Sequence, residues 1–144
     1  MGKKNRLTLD FNGFEIMQKR LEELGGDTKA AAESALVESH KIVTQKVTAA
    51  MVKHRETGDT TNAIIKAPSV EWTGDTASVD VGFDIVGGGL PSIFLMYGTT
   101  LHGQPHITPD RNLYDAVYGA QTRREIMKVQ EAEYNKAIGK AAGK

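Results

Sequence analysis

The chain contains no cysteine, and that absence removes a disulfide framework, thiolate metal sites and thiol nucleophiles together. It fits a protein made and kept in a reducing cytosol. Aromatic residues make up only 6%, so a modest core is expected. Excess charge of either sign is also missing. Eighteen Lys and Arg balance eighteen Asp and Glu, and no global field draws the chain onto nucleic acid or an anionic membrane. The one conspicuous basic group, Lys3, Lys4 and Arg6, reads as a solubilising tail. Apolar runs are a few residues long, which gives neither a membrane span nor a signal peptide.

What is present suits a single domain over residues 1–144, with flexible ends at about 1–6 and 139–144. Leu7 to Phe11 (LTLDF) alternates as a strand does. Phe14, Met17, Leu21 and Leu24 recur at helical spacing, and Gly25 with Gly26 stops that short helix. Asp27 or Thr28 caps a long helix reaching about Lys53, with Leu36, His40, Val43, Val47, Ala50 and His54 along its apolar stripe. His40 on that stripe is expected to be packed or hydrogen-bonded. After the TGDTT break at 57–61, strands over 63–67, 70–73 and 77–83 make a three-stranded meander. Residues 86–91 (VGGGLP) read as a mobile loop, and SIFLMY at 92–97 as one or two helical turns ended by Gly98. Thr108 as N-cap and Pro109 as first helical residue open a last long helix. Its face carries Leu113, Val117, Ala120, Met127, Tyr134 and Ile138, interrupted by Arg124 and Glu131. The expected fold is α+β: a small antiparallel sheet, of about three strands plus an N-terminal one, packed against two long helices and one or two short ones.

Catalytic chemistry is hard to find. His102 and His106 form an HxxxH with Asp110 close by, the best metal candidate, yet Gly103 and Pro105 break any helical turn that would align the two imidazoles. No serine sits in a nucleophile elbow, and the triple glycine at 87–89 lacks the Lys and Ser or Thr of a phosphate loop. Helix-turn-helix, zinc-finger and single-strand-binding patterns are missing, and Trp72 on a hairpin suits packing better than base stacking. What remains is a motif of backbone shape. Gly98 ends an apolar segment, Gly103 and Pro105 bend the chain, and Thr108 with Pro109 restarts a helix, which suits a docking surface.

In its ordered set of motifs the sequence resembles the head-to-tail joining and tail-completion proteins of long-tailed, siphovirus-type bacteriophages. HRETGDTTNAIIKA supplies the T-G turn, at Thr57 and Gly58, with an isoleucine strand; SVDVGF supplies a strand ending in V-G. IFLMYGTT supplies the apolar run into a G-T pair, at Tyr97, Gly98 and Thr99, and QPHITPDRNLYDAV the proline pair around a hydrophobic residue, at Pro105, Ile107 and Pro109. The chain departs from the family at Met96, where an acidic residue is common, at His106, commonly phenylalanine, and at Thr60 or Thr61, where leucine is usual.

The resemblance implies a structural virion protein with no enzymatic activity, cofactor or metal. It is made in the host cytoplasm and placed in the phage neck as a ring of copies of itself, sixfold by analogy. Its partners would be the portal, connector or head-closure proteins on one side and the tail-tube or tail-terminator protein on the other, with no membrane and no sequence-specific nucleic acid. Thr57, Gly58, Tyr97, Gly98, Thr99, Pro105, Ile107 and Pro109 would shape the surface that meets neighbours. A tail terminator or minor tail protein is the alternative within that class. A small metal-dependent hydrolase using His102, His106 and Asp110 is the alternative outside it.

Overall fold

The structure, a computed structural model, describes residues 6–10, 15–54, 58–73 and 76–143. The chain is α+β. Its elements in order are β1 (Arg6–Asp10), α1 (Glu15–Glu23), α2 (Thr28–Ala50), a 3-10 turn (Met51–Lys53), α3 (Asp59–Asn62), β2 (Val70–Thr73) and β3 (Thr76–Gly82). A π-type turn (Ile85–Gly89), α4 (Pro91–Tyr97), β4 (Thr99–Leu101), β5 (Gln104–Ile107), α5 (Arg111–Tyr118) and α6 (Ala120–Ala142) complete it.

Helix α2 is the spine. Asp27 caps it by accepting the Ala30 N–H at 3.0 Å, which satisfies one of the orphan donors of the first turn. Ala31, Ala32, Ala35, Leu36, Ser39, His40, Val43 and Val47 are its buried residues. Small residues dominate the first turns and larger ones follow. The spine accordingly packs against α6, against β3, and near its C-terminal end against α5. His40 is buried as expected, its Nδ1 lying 3.2 Å from the Thr44 hydroxyl, while its Nε2 finds no close hydrogen-bond partner among the described residues.

The sheet differs from the expected meander. β3 lies in the centre with β1 and β2 antiparallel on either side. Residues 63–67 form no strand of their own: Ile64 makes a single bridge to Phe83, and the Ile65 N–H donates to Gly82 at 2.8 Å. The β1 pairing occupies one edge of β3, from Ser78 to Gly82. On the other edge Pro68 interrupts the approach, so only a bridge forms before β2 begins at Val70. On the central strand Ala77, Val79 and Val81 are buried, as is Phe83 just beyond its end. Trp72 on β2 is half-buried, donating to Glu33 at 2.9 Å with Lys29 over its ring, in keeping with a packing role.

Three further expectations are corrected. Within the expected break at 57–61 the described residues carry a short helix, α3, which packs against the 85–89 turn. The VGGGLP segment is no loose loop but this closely packed turn. Asp84 caps it through the Gly87 N–H at 3.2 Å, and a Cβ at buried Gly89 would come within 2.7 Å of the Asp84 carbonyl. The last helix is two helices. Gly119 is extended between α5 and α6, at a place where any Cβ would meet the Asp115 carbonyl at 2.6 Å, and the Thr122 hydroxyl donates to that same carbonyl at 2.9 Å. The break resets the helical phase. Thr122, Ile126, Gln130 and Tyr134 become the buried stripe of α6, and Met127 turns outward. Arg124 and Glu131 interrupt nothing, since both face solvent. α6 runs to Ala142, with Ala141 buried.

Candidate docking surface

Between Asp84 and Asp110 the chain carries no Asp, Glu, Lys or Arg, although charged residues make up 25% of the whole. No other uncharged stretch comes near it in length. Protein interiors can be charge-free, but this stretch is largely at the surface. Of the large apolar side chains exposed among the described residues, half lie here: Leu90 (49%), Phe94 (42%), Tyr97 (54%) and Leu101 (53%). Leu90, Phe94 and Tyr97 follow the i, i+4, i+7 spacing that puts them on one face of α4. Ser92 and Met96 occupy the buried face. An acidic residue at Met96, usual in the resembled family, would enter the core here.

α4 hands over directly to a hairpin. Gly98 has φ 76 and ψ 173, a region open almost only to glycine. A Cβ at Gly98 would also lie 2.6 Å from the Ile107 carbonyl and 2.9 Å from Pro109. β4 and β5 then pair with Thr99 opposite Ile107, Thr100 opposite Pro105 and Leu101 opposite Gln104, a bulge falling between Thr99 and Thr100. His102 (φ 53) and Gly103 (φ 79) form the two-residue tip. Positive φ at both central positions is the turn whose twist matches a hairpin, and histidine is among the residues that tolerate it. Exposed His102 is thus a turn residue.

The segment is clamped where it returns to the helices. The N-cap of α5 is Asp110, not Thr108 as the sequence suggested, and its carboxylate is 5% exposed. Oδ1 accepts the Leu113 N–H at 3.2 Å, while Oδ2 lies 2.6 Å from His54 Nε2 and 3.4 Å from Lys53 Nζ, which sit at the end of the 3-10 turn that continues α2. The Asp110 N–H donates to the Leu95 carbonyl in α4 at 2.7 Å. One residue therefore ties α2, α4 and α5 together. Burial alone would raise its carboxyl, but the hydrogen bonds from His54 and Leu113 and the Lys53 ammonium hold it below the usual carboxylate range. A second tie is aromatic. Tyr97 meets Tyr114 edge-on at 5.7 Å and Tyr114 lies 5.0 Å from Tyr118, whose hydroxyl is pushed up to about 12, first by burial and then by Tyr97.

Five of the residues singled out from the sequence come together. Tyr97, Gly98, Thr99, Ile107 and Pro109, with Thr100, line an open groove of about 400 Å³. Gly58, with φ 80, opens α3 instead, next to the 85–89 turn. Thr57 and the side chains of Pro105 and His106 lie outside the described residues. Asp110 has both carboxylate oxygens in use within the clamp. Among the described residues no group of three His, Cys, Asp or Glu is placed to share a metal ion. Missed from the sequence were the His54, Lys53 and Asp110 clamp, which no spacing rule reveals, and the charge-free run itself, which a count of charges along the chain would have found. No family model, curated protein or solved structure matches this chain.

Proposed function

We propose that the chain is a structural assembly subunit of a bacteriophage virion, joining the DNA-filled head to the tail in the neck. The observation that carries the reading is the uncharged, exposed face formed by α4 and the β4–β5 hairpin. Interface cores are depleted of charge and enriched in aromatic and large apolar residues, whereas an unused surface of this size would carry lysines and glutamates. Five of the motif residues shared with the joining and completion proteins, Tyr97, Gly98, Thr99, Ile107 and Pro109, line one groove on that face. A rigid clamp beneath it limits the ordering cost of docking.

In this reading the subunit works by binding alone. It forms rings with its own copies, sixfold by analogy, and contacts portal, connector or head-closure proteins and the tail-tube or terminator protein. It is made in the host cytoplasm and ends in the virion. Electron microscopy of lysates from a phage with a nonsense mutation in this gene tests the role. DNA-filled heads accumulating apart from finished tails are expected. Intact, infectious particles would overturn it, and finished heads with tails of irregular length would point to a tail terminator.

A further inference from the structure

We infer that His40, Thr44 and Ile65 form a proton-sensitive latch, which holds residues 63–67 against α2 while the imidazole is neutral and lets that segment open locally in acid. The hydrogen bonds give the latch a direction. The Thr44 hydroxyl donates to the Ile65 carbonyl across a long 3.4 Å and lies 3.2 Å from His40 Nδ1. A hydroxyl has one proton to give. With that proton on Ile65 the Thr44 oxygen accepts, and Nδ1 is the ring nitrogen that carries hydrogen. Nε2 is then a bare lone pair. His40 is 2% exposed, and no hydrogen-bond partner for Nε2 lies in reach among the described residues. A second proton there makes a buried cation whose new donor is unsatisfied in the closed structure.

No charged side chain among the described residues is placed to answer that cation. Glu38 and Lys41 of α2 pair with each other, while Glu125 and Glu133 of α6 are paired with Lys46 and Lys136. Lys66 beside Ile65, Glu71 on β2, and Arg111 and Asp115 on α5 are exposed. Asp80 of β3 alternates onto the sheet face away from buried Val79 and Val81. Burial accordingly opposes the charge, and only the Ile65 carbonyl favours it. That carbonyl makes no hydrogen bond to Nε2 where it lies, so serving the new donor means leaving Thr44.

The segment is lightly held. Ile64 makes one bridge to Phe83, the Ile65 N–H donates to Gly82 at 2.8 Å, and Pro68 ends the run before any strand forms. Sparse backbone pairing of this kind belongs to the low-stability end of a fold. The Ala63 carbonyl accepts the Asp84 N–H at 2.8 Å, and Asp84 caps the turn that leads into α4. Release of the segment therefore also frees the Asp84 amide, one tie of the turn ahead of the uncharged face.

Amide hydrogen exchange on the full chain, corrected for the intrinsic effect of pH and followed at low urea, tests the latch together with nitrogen NMR of His40. At pH 7.5 the NMR should report hydrogen on Nδ1 and a bare Nε2. The Ile65 and Asp84 amides should exchange through an opening that urea does not promote, whereas Val43 in α2 follows global unfolding. Between pH 7.5 and 5 that opening should rise on the order of tenfold, with a ceiling of about thirtyfold for a group that titrates at 6.5 once released. His40→Gln should abolish the rise. Thr44→Val should open the segment on the order of fivefold already at pH 7.5, as for one lost hydrogen bond, and circular dichroism checks that both variants fold. Hydrogen on Nε2 at pH 7.5, Ile65 and Asp84 exchanging only with Val43, an acid response that survives His40→Gln, or a Thr44→Val segment as protected as wild type would each overturn the inference. Should His40→Gln not fold, the NMR of wild type and the exchange of wild type and Thr44→Val decide it.

Discussion

At the scale of single residues, two glycines at the hairpin can be told apart by their surroundings. Gly103→Ala faces open space and bears only the strain of a left-handed residue, about 1 kcal/mol. Gly98→Ala combines a conformation reserved for glycine with a backbone clash against Ile107, and should destabilise by about 3 kcal/mol or more. Denaturant unfolding of the two variants checks the difference. Asp110 carries a second prediction. Asp110→Asn keeps the shape but weakens a buried charge-assisted cap and the His54 pairing, a loss of about 2 kcal/mol at neutral pH. Because the folded carboxyl sits below its ordinary value of 3.8, its stabilisation is complete above that value and disappears as pH falls through the lowered one. Wild type and Asp110→Asn should therefore converge in stability in strong acid. Thr108 and Pro109 formed a good N-cap pair by type, so the sequence alone pointed one cap too early. The capping choice was made by His54 and Lys53, more than fifty positions away in the chain.

Among the elements, α2, α1 and the N-terminal strand were legible because their periodicity and capping residues agree with each other and with the packing. The sheet order was not, since strand propensity at Ile64 and Ile65 says nothing about which edge of β3 is already taken by β1. The α5 to α6 break was hidden for a related reason: a glycine within a helical pattern is often tolerated, and the close approach of the Asp115 carbonyl that leaves room for no side chain at Gly119 is a feature of the folded chain alone. Gly119→Ala should accordingly lower stability by about 1–3 kcal/mol, measurable by thermal unfolding, whereas a continuous helix would gain from the same change. The contact of α2 with the sheet contains the other titrating element. Burial lowers the His40 pKa from 6.5, with the Ile65 carbonyl opposing it. The unfolded chain thus binds more protons than the folded one below pH 6.5, and stability falls as pH drops from there. Thermal midpoints between pH 7.5 and 5 should show a slope that His40→Gln flattens.

For the whole molecule, the main feature is a division of labour. The α2 and α6 spine with its three-stranded sheet carries most of the core, charged residues are spread over the rest of the chain, and one uncharged face is held out on α4 and the hairpin. Stability and docking should then be separable. Phe94→Glu and Leu101→Glu change exposed side chains and should move the unfolding midpoint by no more than about 0.5 kcal/mol equivalent, yet remove function, since a desolvated charge facing an apolar partner is costly. The most direct test is complementation of the nonsense phage with the folded Phe94→Glu, Leu101→Glu double variant, read by electron microscopy and infectious titre. The account predicts that wild type restores joined particles and that the double variant leaves filled heads and tails apart. Full restoration of titre by the double variant would contradict it.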